Sequence, residues 1–493
     1  MRSSFQQVPL RLAAACETST RHNISCCGFS KCGRYFAFAE SPRILAVYLT
    51  EPLLNVCFTT ASVSVDSLPD IRRENRNPGT GAFWRILSSE LLEGDSVPAQ
   101  LSPVYRIEAT GEIQHMAFAH GDIGNCRLPH RSRKRMSRVV QYSHVSLILL
   151  GLATGYTEVY NMADFLMPLS RIPKLVLVAE SIPIYFLSVA PDTTLRVASV
   201  HSGGEVKLWD LWDDGNMYAS LKQNFVFSID KTAGIRNAYD QIYGEACTFA
   251  WQPYGSHICL AGQKGYAVVL QSEKPFSRIA TLRSGHFHRI SSASYTHDGS
   301  MLVTASYDSS CVVWSVPEYA PLHHYWHMGR IPSMLLLGGA NGHHIYGMAV
   351  APDDLHFATI CEDRCVRLWS VSPSTSPEKT YYEVALDTSS TAKLRSLAFS
   401  ACGRLLAVTT SNGRVLVFTT PSRWLNLTTL CLRVIRRCVT RHLTEQRYPN
   451  LDLDEAFGNL AAICSSKNLF LQAASQLPVP PNCLQSITHR FRA

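Results

Sequence analysis

The stretch LVTASYDSSCVVWSV, Leu302–Val316, decides the architecture. Small and apolar residues alternate up to Ser306, a polar turn follows, and a second alternating run closes on Trp314, which is how two strands joined by a tight turn are written. The same grammar returns in FATICEDRCVRLWSV, closing on Trp369, and in RVASVHSGGEVKLWDL, closing on Trp209. Weaker copies are LLAVTTSNGRVLVFTT with Phe418, LILLGLATGYTEVYNM with Tyr160, ICLAGQKGYAVVLQ with Leu270 and YFAFAESPRILAVYL with Tyr48, so seven copies run through the chain. From Tyr160 onward the closing residues follow one another at a spacing close to or somewhat above the ~40–45 residues of a propeller repeat. Only the interval from Tyr48 to Tyr160 is badly stretched. A further apolar run precedes many of the copies, as in CCGFSKCGRYFAFA, SYTHDGSMLVTA and SLAFSACGRLLAVT, where a glycine between two runs supplies the backbone freedom of a tight hairpin. The unit is a four-stranded antiparallel sheet, and a period of this size predicts a ring of such sheets, an all-β fold.

Gly285-His286 ahead of the deciding stretch, Asp308 in its turn and Trp314 at its end resemble the WD-repeat family, in which His, Asp, a strand hydroxyl and Trp are hydrogen-bonded within one blade. The resemblance implies a seven-bladed WD-repeat β-propeller, with His286, Asp308, Trp314 and either Thr304 or Ser306 forming one such network and Asp363 and Trp369 repeating it. Other copies depart from this: the turn position is Gly203 before Trp209, Thr154 before Tyr160 and Pro42 before Tyr48, so those blades are expected to be held mainly by apolar packing. For His286 a catalytic base and a structural hydrogen bond are the two readings, and its fit to the repeat favours the second.

With 46% apolar and 17% charged residues in 493, the chain has the material for a large core and is not broadly disordered. Lysine and arginine number 46 against 38 acids, a net +8 too small over this length to send the whole molecule to nucleic acid or membrane, so such a role needs a local patch. One candidate is RLPHRSRKRMSR, with Arg127, Arg131, Arg133, Lys134, Arg135 and Arg138. It lacks the interleaved aromatics that stack bases, so it reads as a solvated loop ahead of a nuclear address, and nucleic-acid binding is not expected. The 16 cysteines have no framework spacing and read as reduced thiols. Arg11 breaks the apolar run near the N-terminus, and the longest run, about Val145 to Ala153, is short of the ~20 residues that span a bilayer, so a soluble cytoplasmic protein without a membrane role is expected, nuclear location staying open. Residues about 61–104 and about 121–140 read as insertions within a propeller of residues 1–420, the first a Gly/Pro-punctuated loop excursion.

Behind the last copy comes PSRWLNLTTLCLRVIRRCVT. Projected on a helical wheel, Leu427, Leu430, Cys431, Val434, Ile435 and Cys438 gather into one apolar stripe, with Ile435 at its edge, while Arg433, Arg436 and Arg437 fall away from the stripe's centre. Asn426 stands where a side-chain oxygen caps a helix. Periodicity alone would pack this helix under the propeller. The order Leu427, Cys431, Ile435-Arg436-Arg437 resembles the elongin-binding half of a SOCS box, and Leu477-Pro478-Val479-Pro480, followed by PNCLQSITHRF, resembles its cullin-selecting half. With LWDLWDDGNMYASL and GGANGHHIYGMAVAPDDLHFATICEDRCVRLWSV added, the chain resembles the WD-repeat and SOCS-box-containing proteins from about residue 16 to the end, outside the insertions.

That resemblance implies a small α-helical SOCS box over residues 421–493, with Leu427, Leu430, Cys431, Val434 and Ile435 meeting elongin B/C and Leu477, Pro478, Val479 and Pro480 selecting a cullin-5-type scaffold and its RING protein. It implies a substrate-recognition subunit of a ubiquitin ligase that is not itself an enzyme, with a protein target held on the propeller. The family joins the two halves by a few residues, whereas residues 440–476 intervene here; loop closure costs only about 0.6 kcal/mol per doubling of length, so the insertion can be looped out. The alternatives are a non-ligase scaffold, in which Leu427 is buried in its own chain, and an enzyme at the propeller's mouth, which needs converging carboxylates or a metal set. The sequence has no GxxxxGK[ST], HExxH or GxSxG; His323-His324 and His343-His344 lack a companion at ligand spacing, and Cys361 and Cys365 stand four apart, so no metal or cofactor is expected.

Overall fold

The computed structural model describes residues 10–19, 21–56, 82–86, 101–122, 144–162, 175–178, 182–191, 195–202, 204–211, 216–221, 246–253, 256–262, 265–273, 276–283, 285–327, 344–371, 381–385, 392–420 and 427–447. Strand β1 (Arg11–Thr18) is the first described element. Blade 1 follows as β2 (Cys27–Phe29), β3 (Tyr35–Ser41), β4 (Ile44–Leu49) and β6 (Tyr105–Glu108), with helix α1 (Glu51–Val56) and strand β5 (Ala82–Ile86) between its third and fourth strands. Blade 2 is β7 (Ile113–Asp122), β8 (His144–Leu152), β9 (Thr157–Asn161) and β10 (Leu175–Leu177); blade 3 is β11 (Ile184–Val189), β12 (Arg196–His201), β13 (Val206–Asp210) and β14 (Asn216–Leu221). Blade 4 is β15 (Ala246–Trp251), β16 (His257–Gly262), β17 (Ala267–Gln271) and β18 (Arg278–Leu282); blade 5 is β19 (Ile290–Tyr295), β20 (Met301–Ser306), β21 (Ser310–Ser315) and β22 (Pro321–Trp326). Blade 6 is β23 (Ile345–Val350), β24 (His356–Cys361), β25 (Cys365–Ser370) and β26 (Tyr381–Ala385), and blade 7 starts with β27 (Leu394–Phe399), β28 (Leu405–Thr410) and β29 (Arg414–Thr419). Helix α2 (Leu427–Arg447) ends the described chain.

The first strands touch in a closed cycle, β2 on β7, β7 on β11 and so on through β27 back to β2, so the sheets form a seven-bladed propeller around a central channel. Every closing residue of the sequence repeat lies on a third strand: Tyr48, Tyr160, Trp209, Leu270, Trp314, Trp369 and Phe418. All seven are buried, wedged between neighbouring sheets, which is why a large or branched apolar residue recurs there. In each blade the first–second and third–fourth turns lie at one end, here the lower face, and the second–third turns and blade-to-blade connections at the other, the upper face.

Blade 7 takes its fourth strand from the start of the chain. β1 runs antiparallel to β29, from Arg11 opposite Thr419 to Glu17 opposite Arg414. The apolar run that Arg11 interrupts is thus a core strand, with Ala14, Ala15 and Cys16 buried. The expected loop over residues 61–104 is not a loop throughout: Ala82–Ile86 forms β5, which pairs with the outer side of β1, Trp84 opposite Cys16. The signal was hidden because AFWRI is one short apolar island in a polar stretch. Trp84 sets its ring 6.3 Å from Phe36, 6.1 Å from Phe38 and 5.5 Å from Tyr48, in edge contacts that link blade 1 to the closure. A terminal strand at a sheet edge frays easily; covered on both sides, β1 has no free edge there. The basic cluster Arg127–Arg138 lies outside the described residues. Burial pushes the Cys26, Cys27 and Cys259 thiols up to about 12, which keeps them protonated and inert.

Trp84→Ala removes a buried indole from the closure and is expected to cost about 3–5 kcal/mol, read as a lowered urea midpoint; a loss within about 0.5 kcal/mol would show that β5 does not brace the ring.

Candidate functional site

Two constellations stand out, one on each face. On the upper side of blade 5, Trp314 Nε1 donates to Thr304 Oγ1 at 2.9 Å, Thr304 Oγ1 lies 2.8 Å from His286 Nε2, and His286 Nδ1 faces Asp308 Oδ2 at 3.2 Å and Ser310 Oγ at 2.9 Å. The carboxylate can only accept, so Nδ1 carries a proton. The strand hydroxyl is Thr304; Ser306 instead bonds the carbonyls of His288 and Arg289. Gly285 is required beside this network, since a Cβ there would collide with the Trp314 ring. With both side chains 1% exposed, His286 and Asp308 form a structural pair within the blade.

Blade 6 solves the same problem with an extra cation. Trp369 donates to Thr359 Oγ1 at 2.8 Å, and His327 Nε2 lies 3.0 Å from the same hydroxyl. Arg367 inserts between His327 Nδ1, at 3.0 Å, and Asp363, at 2.6 Å. His327 and Arg367 were missed in the sequence because the histidine follows Trp326 rather than glycine. His327, Cys361 and Asp363 bring potential ligand atoms within 4.8 Å of one another, and Arg367 already bonds two of the three, His327 and Asp363.

Blades 2 and 3 are packed on large apolar clusters, as expected, and each adds a short polar network that the sequence did not indicate. In blade 3, Trp209 donates to Ser199 at 2.9 Å, and Ser199 bonds His201 on its own strand at 2.9 Å. In blade 2, Tyr160 donates to buried Glu158 at 2.7 Å, whose other oxygen takes Thr110 Oγ1 at 2.5 Å. Each of these closing side chains finds a partner for its polar atom inside its blade, as burial demands.

On the lower face, α2 lies against blades 5 and 6. Val439 is buried and Leu432 and Ile435 are half-buried against a cluster that includes Met301, Met348, Phe357 and Trp369. Asp354, 1% exposed, anchors the helix: its Oδ1 accepts the His297 backbone N–H at 2.6 Å and faces His297 Nδ1 at 3.0 Å, while Oδ2 pairs with Arg433 Nε at 3.1 Å. Arg433 also donates to the Pro352 carbonyl. In the equivalent turns of blades 1, 5 and 7 a glycine holds positive φ, at Gly33, Gly299 and Gly403; blade 6 instead holds Asp354 at φ 57°. The backbone strain is tolerated where the carboxylate is needed.

The helix presents its faces as follows. Leu432, Arg436, Val439 and Thr440 share one side of the wheel and point at the propeller, with Arg436, Val439 and Thr440 buried. Cys431 and Cys438 are exposed and Val434 is 55% exposed, on the opposite side. Ile435 stands at the border, half-buried against blades 5 and 6. Leu427 and Leu430 lie in α2, their side chains outside the described residues, as are Asn426, Leu477, Pro478, Val479 and Pro480. The helix runs on to Arg447, so the segment 440–476 begins as helix.

Three turn carboxyls respond to acid in one direction. Burial disfavours the charged forms of Asp308, Asp353 and Asp363, but hydrogen bonds from His286, His356 and Arg367 respectively outweigh it and hold all three below the ordinary 3.8. A depressed folded value means that their contribution is complete above pH 3.8 and is lost as pH falls through the lower folded values. Stability should therefore fall below about pH 4, and Asp308→Asn should be less stable than wild type at about neutral pH by about 1–3 kcal/mol yet show a shallower acid decline, measured by urea unfolding at both pH values. For the helix anchor, Asp354→Gly relieves the strained turn but removes the Arg433 partner. Hydrogen exchange across residues 427–447 should speed up while that of blades 1–4 stays unchanged.

The family described as WD domain, G-beta repeat matches residues 276–315 and 336–370, which hold the last strand of blade 4 and the first three strands of blades 5 and 6. WD repeat and SOCS box-containing protein 1 of Danio rerio is 26% identical over 426 residues, covering 85% of this chain and 86% of that protein. Its Takifugu rubripes counterpart is 27% identical over 427 residues with the same coverage, and the Homo sapiens protein of that name is 28% identical over 299 residues, covering 52% of this chain and 64% of its own length. Seven blades, their buried polar networks and a similarity that runs along most of both chains make this a WD-repeat propeller protein related to the WD repeat and SOCS box-containing proteins.

Proposed function

We propose that the chain is the substrate-recognition subunit of an elongin B/C–cullin–RING ubiquitin ligase, its propeller holding a protein target and its C-terminal helix docking to the ligase core. The observation that supports this most is the division of α2: one face is seated on the propeller, and the stripe through Cys431, Val434 and Cys438 faces solvent. A brace would bury its apolar stripe, whereas a plug for a groove leaves it out. Leu427 and Leu430 continue that stripe toward the start of the helix by spacing, and Ile435 contributes at its border. Leu477–Pro480 then selects a cullin-5-type scaffold with its RING protein.

In this reading the chain makes and breaks no bond itself. Acceleration comes from holding target lysines close to a ubiquitin-charged enzyme, which raises their effective concentration. The names of the relatives support the SOCS-box assignment.

Cys431→Glu/Val434→Glu changes two solvent-facing positions with a good helix former, so the melting temperature should stay within about 2 °C of wild type. Co-purification with elongin B/C should be abolished, and retained elongin B/C would overturn the proposal.

A further inference from the structure

The upper face is free of α2, and between blades 5, 6 and 7 it carries a connected aromatic and cationic cluster. Tyr307, in the second–third turn of blade 5, stacks on His344 at 4.8 Å, lies 5.9 Å from both His288 and Tyr346, and has the Arg289 guanidinium 5.5 Å from its ring centre. Tyr346 sits at the bulge between Ile345 and Gly347 on β23, and Arg395 at the bulge between Leu394 and Leu397 on β27. A bulge gives the strand one extra residue and re-aims it, so both sit where the innermost strands reach the mouth of the channel. Burial and the neighbouring Glu362 carboxylate push the Tyr346 hydroxyl up to about 12, and exposed Arg395 opposes them.

Phe287 completes the arrangement. Its backbone N–H donates to Asp308 Oδ2 at 2.8 Å, so the same buried carboxylate that holds His286 also fixes the backbone of the next residue. The Phe287 side chain is nevertheless 80% exposed, the most exposed large apolar group among the described residues. A phenyl ring held in water by a rigid buried network costs solvation that nothing within the described chain repays.

The local charge selects the occupant. Asp308 is committed to His286 and Asp363 to Arg367, which leaves Glu362, beside Tyr346 and 4.0 Å from His344, as one acid against two guanidiniums: Arg289, whose Nε is buried without a hydrogen-bond partner, and Arg395, which faces solvent. We infer that the upper mouth between blades 5 and 7 is the target-binding surface and takes an acidic peptide segment, whose carboxylates meet Arg289 and Arg395 while an apolar side chain covers Phe287. This rests on reading the propeller as a target receptor, and the two fail separately in the experiment below.

The full chain is titrated against short fluorescein-labelled peptides with a central leucine flanked by glutamates, and against versions with lysine or serine in place of the acids. Acidic peptides should bind, the affinity should fall with added salt, and Phe287→Ser and Arg395→Glu should each weaken binding at least about tenfold without changing the melting temperature. Equal binding of acidic and basic peptides, no binding of any peptide, unchanged binding in both variants, or displacement of the peptide by a short single-stranded RNA would overturn the inference. Elongin B/C capture by the Phe287→Ser chain separates the readings: capture without acidic-peptide binding by the wild-type chain sinks this surface alone, whereas peptide binding without capture sinks the ligase role and leaves the surface standing.

Discussion

The antiparallel pairing of β1 with β29 is the constraint on which the remaining geometry depends. Seven sheets can surround one channel only if the last is joined to the first, and here the join is a backbone ladder between the two ends of the described propeller, Arg11 opposite Thr419 through Glu17 opposite Arg414. Because the N-terminal segment supplies the fourth strand of blade 7, the propeller's final strand in sequence is a third strand. A third strand runs from the upper face to the lower one, so the chain leaves at the lower face, where α2 is found against blades 5 and 6. Had β29 been followed by its own fourth strand, the chain would have left at the upper face. The position of the C-terminal helix is therefore a consequence of how the ring is closed.

Within the blades, what recurs is less a residue pattern than a requirement. A large side chain is wedged between sheets near the end of every third strand; where it carries a polar atom, that atom is partnered away from water in four of five blades, the buried Tyr48 hydroxyl of blade 1 having no hydrogen-bond partner. Blade 5 meets the need with Thr304 and His286, blade 6 with Thr359, His327 and Arg367, blade 3 with Ser199 and His201, and blade 2 with Glu158 and Thr110. Leu270 and Phe418 carry no polar atom, so blades 4 and 7 need no such network at that position. The repeats can thus drift in sequence while the packing geometry is kept.

This explains how much could be read in advance. The third-strand endings and hairpin glycines were legible because they follow from backbone geometry and wedge packing, which act locally. His286, Asp308 and Trp314 were legible because a glycine and a turn mark their positions, whereas the choice of Thr304 over Ser306 was left to the structure. His327 and His201 were not, since each reaches its hydroxyl from a position the repeat does not mark, and neither was β5, whose partner β1 lies far away in sequence. In α2 the wheel separated two faces, but it gave no sign of which would meet the propeller. The choice is made by Asp354, in another blade, through an ion pair that local periodicity cannot contain.

The same ion pair bears on the ligase role proposed above. Proximity raises a rate only when the held target and the delivered group share a restricted range of relative positions. A helix tethered by a flexible linker would spread that range widely, because effective concentration falls as linker length grows. Here α2 is fixed by Arg433 and Asp354 on one side of its axis and by Leu432, Ile435 and Val439 along its packed face, so its outer stripe has a set direction relative to the blades. The upper mouth, with Phe287 and Arg395, opens on the opposite side of the ring. A partner on the helix and a target at the mouth would then be held apart by the full depth of the propeller, without competing for surface. Under the proposed ligase role, delivery of ubiquitin would have to pass around the rim of blades 5 and 6, and target lysines projecting beyond that rim would be the ones in reach.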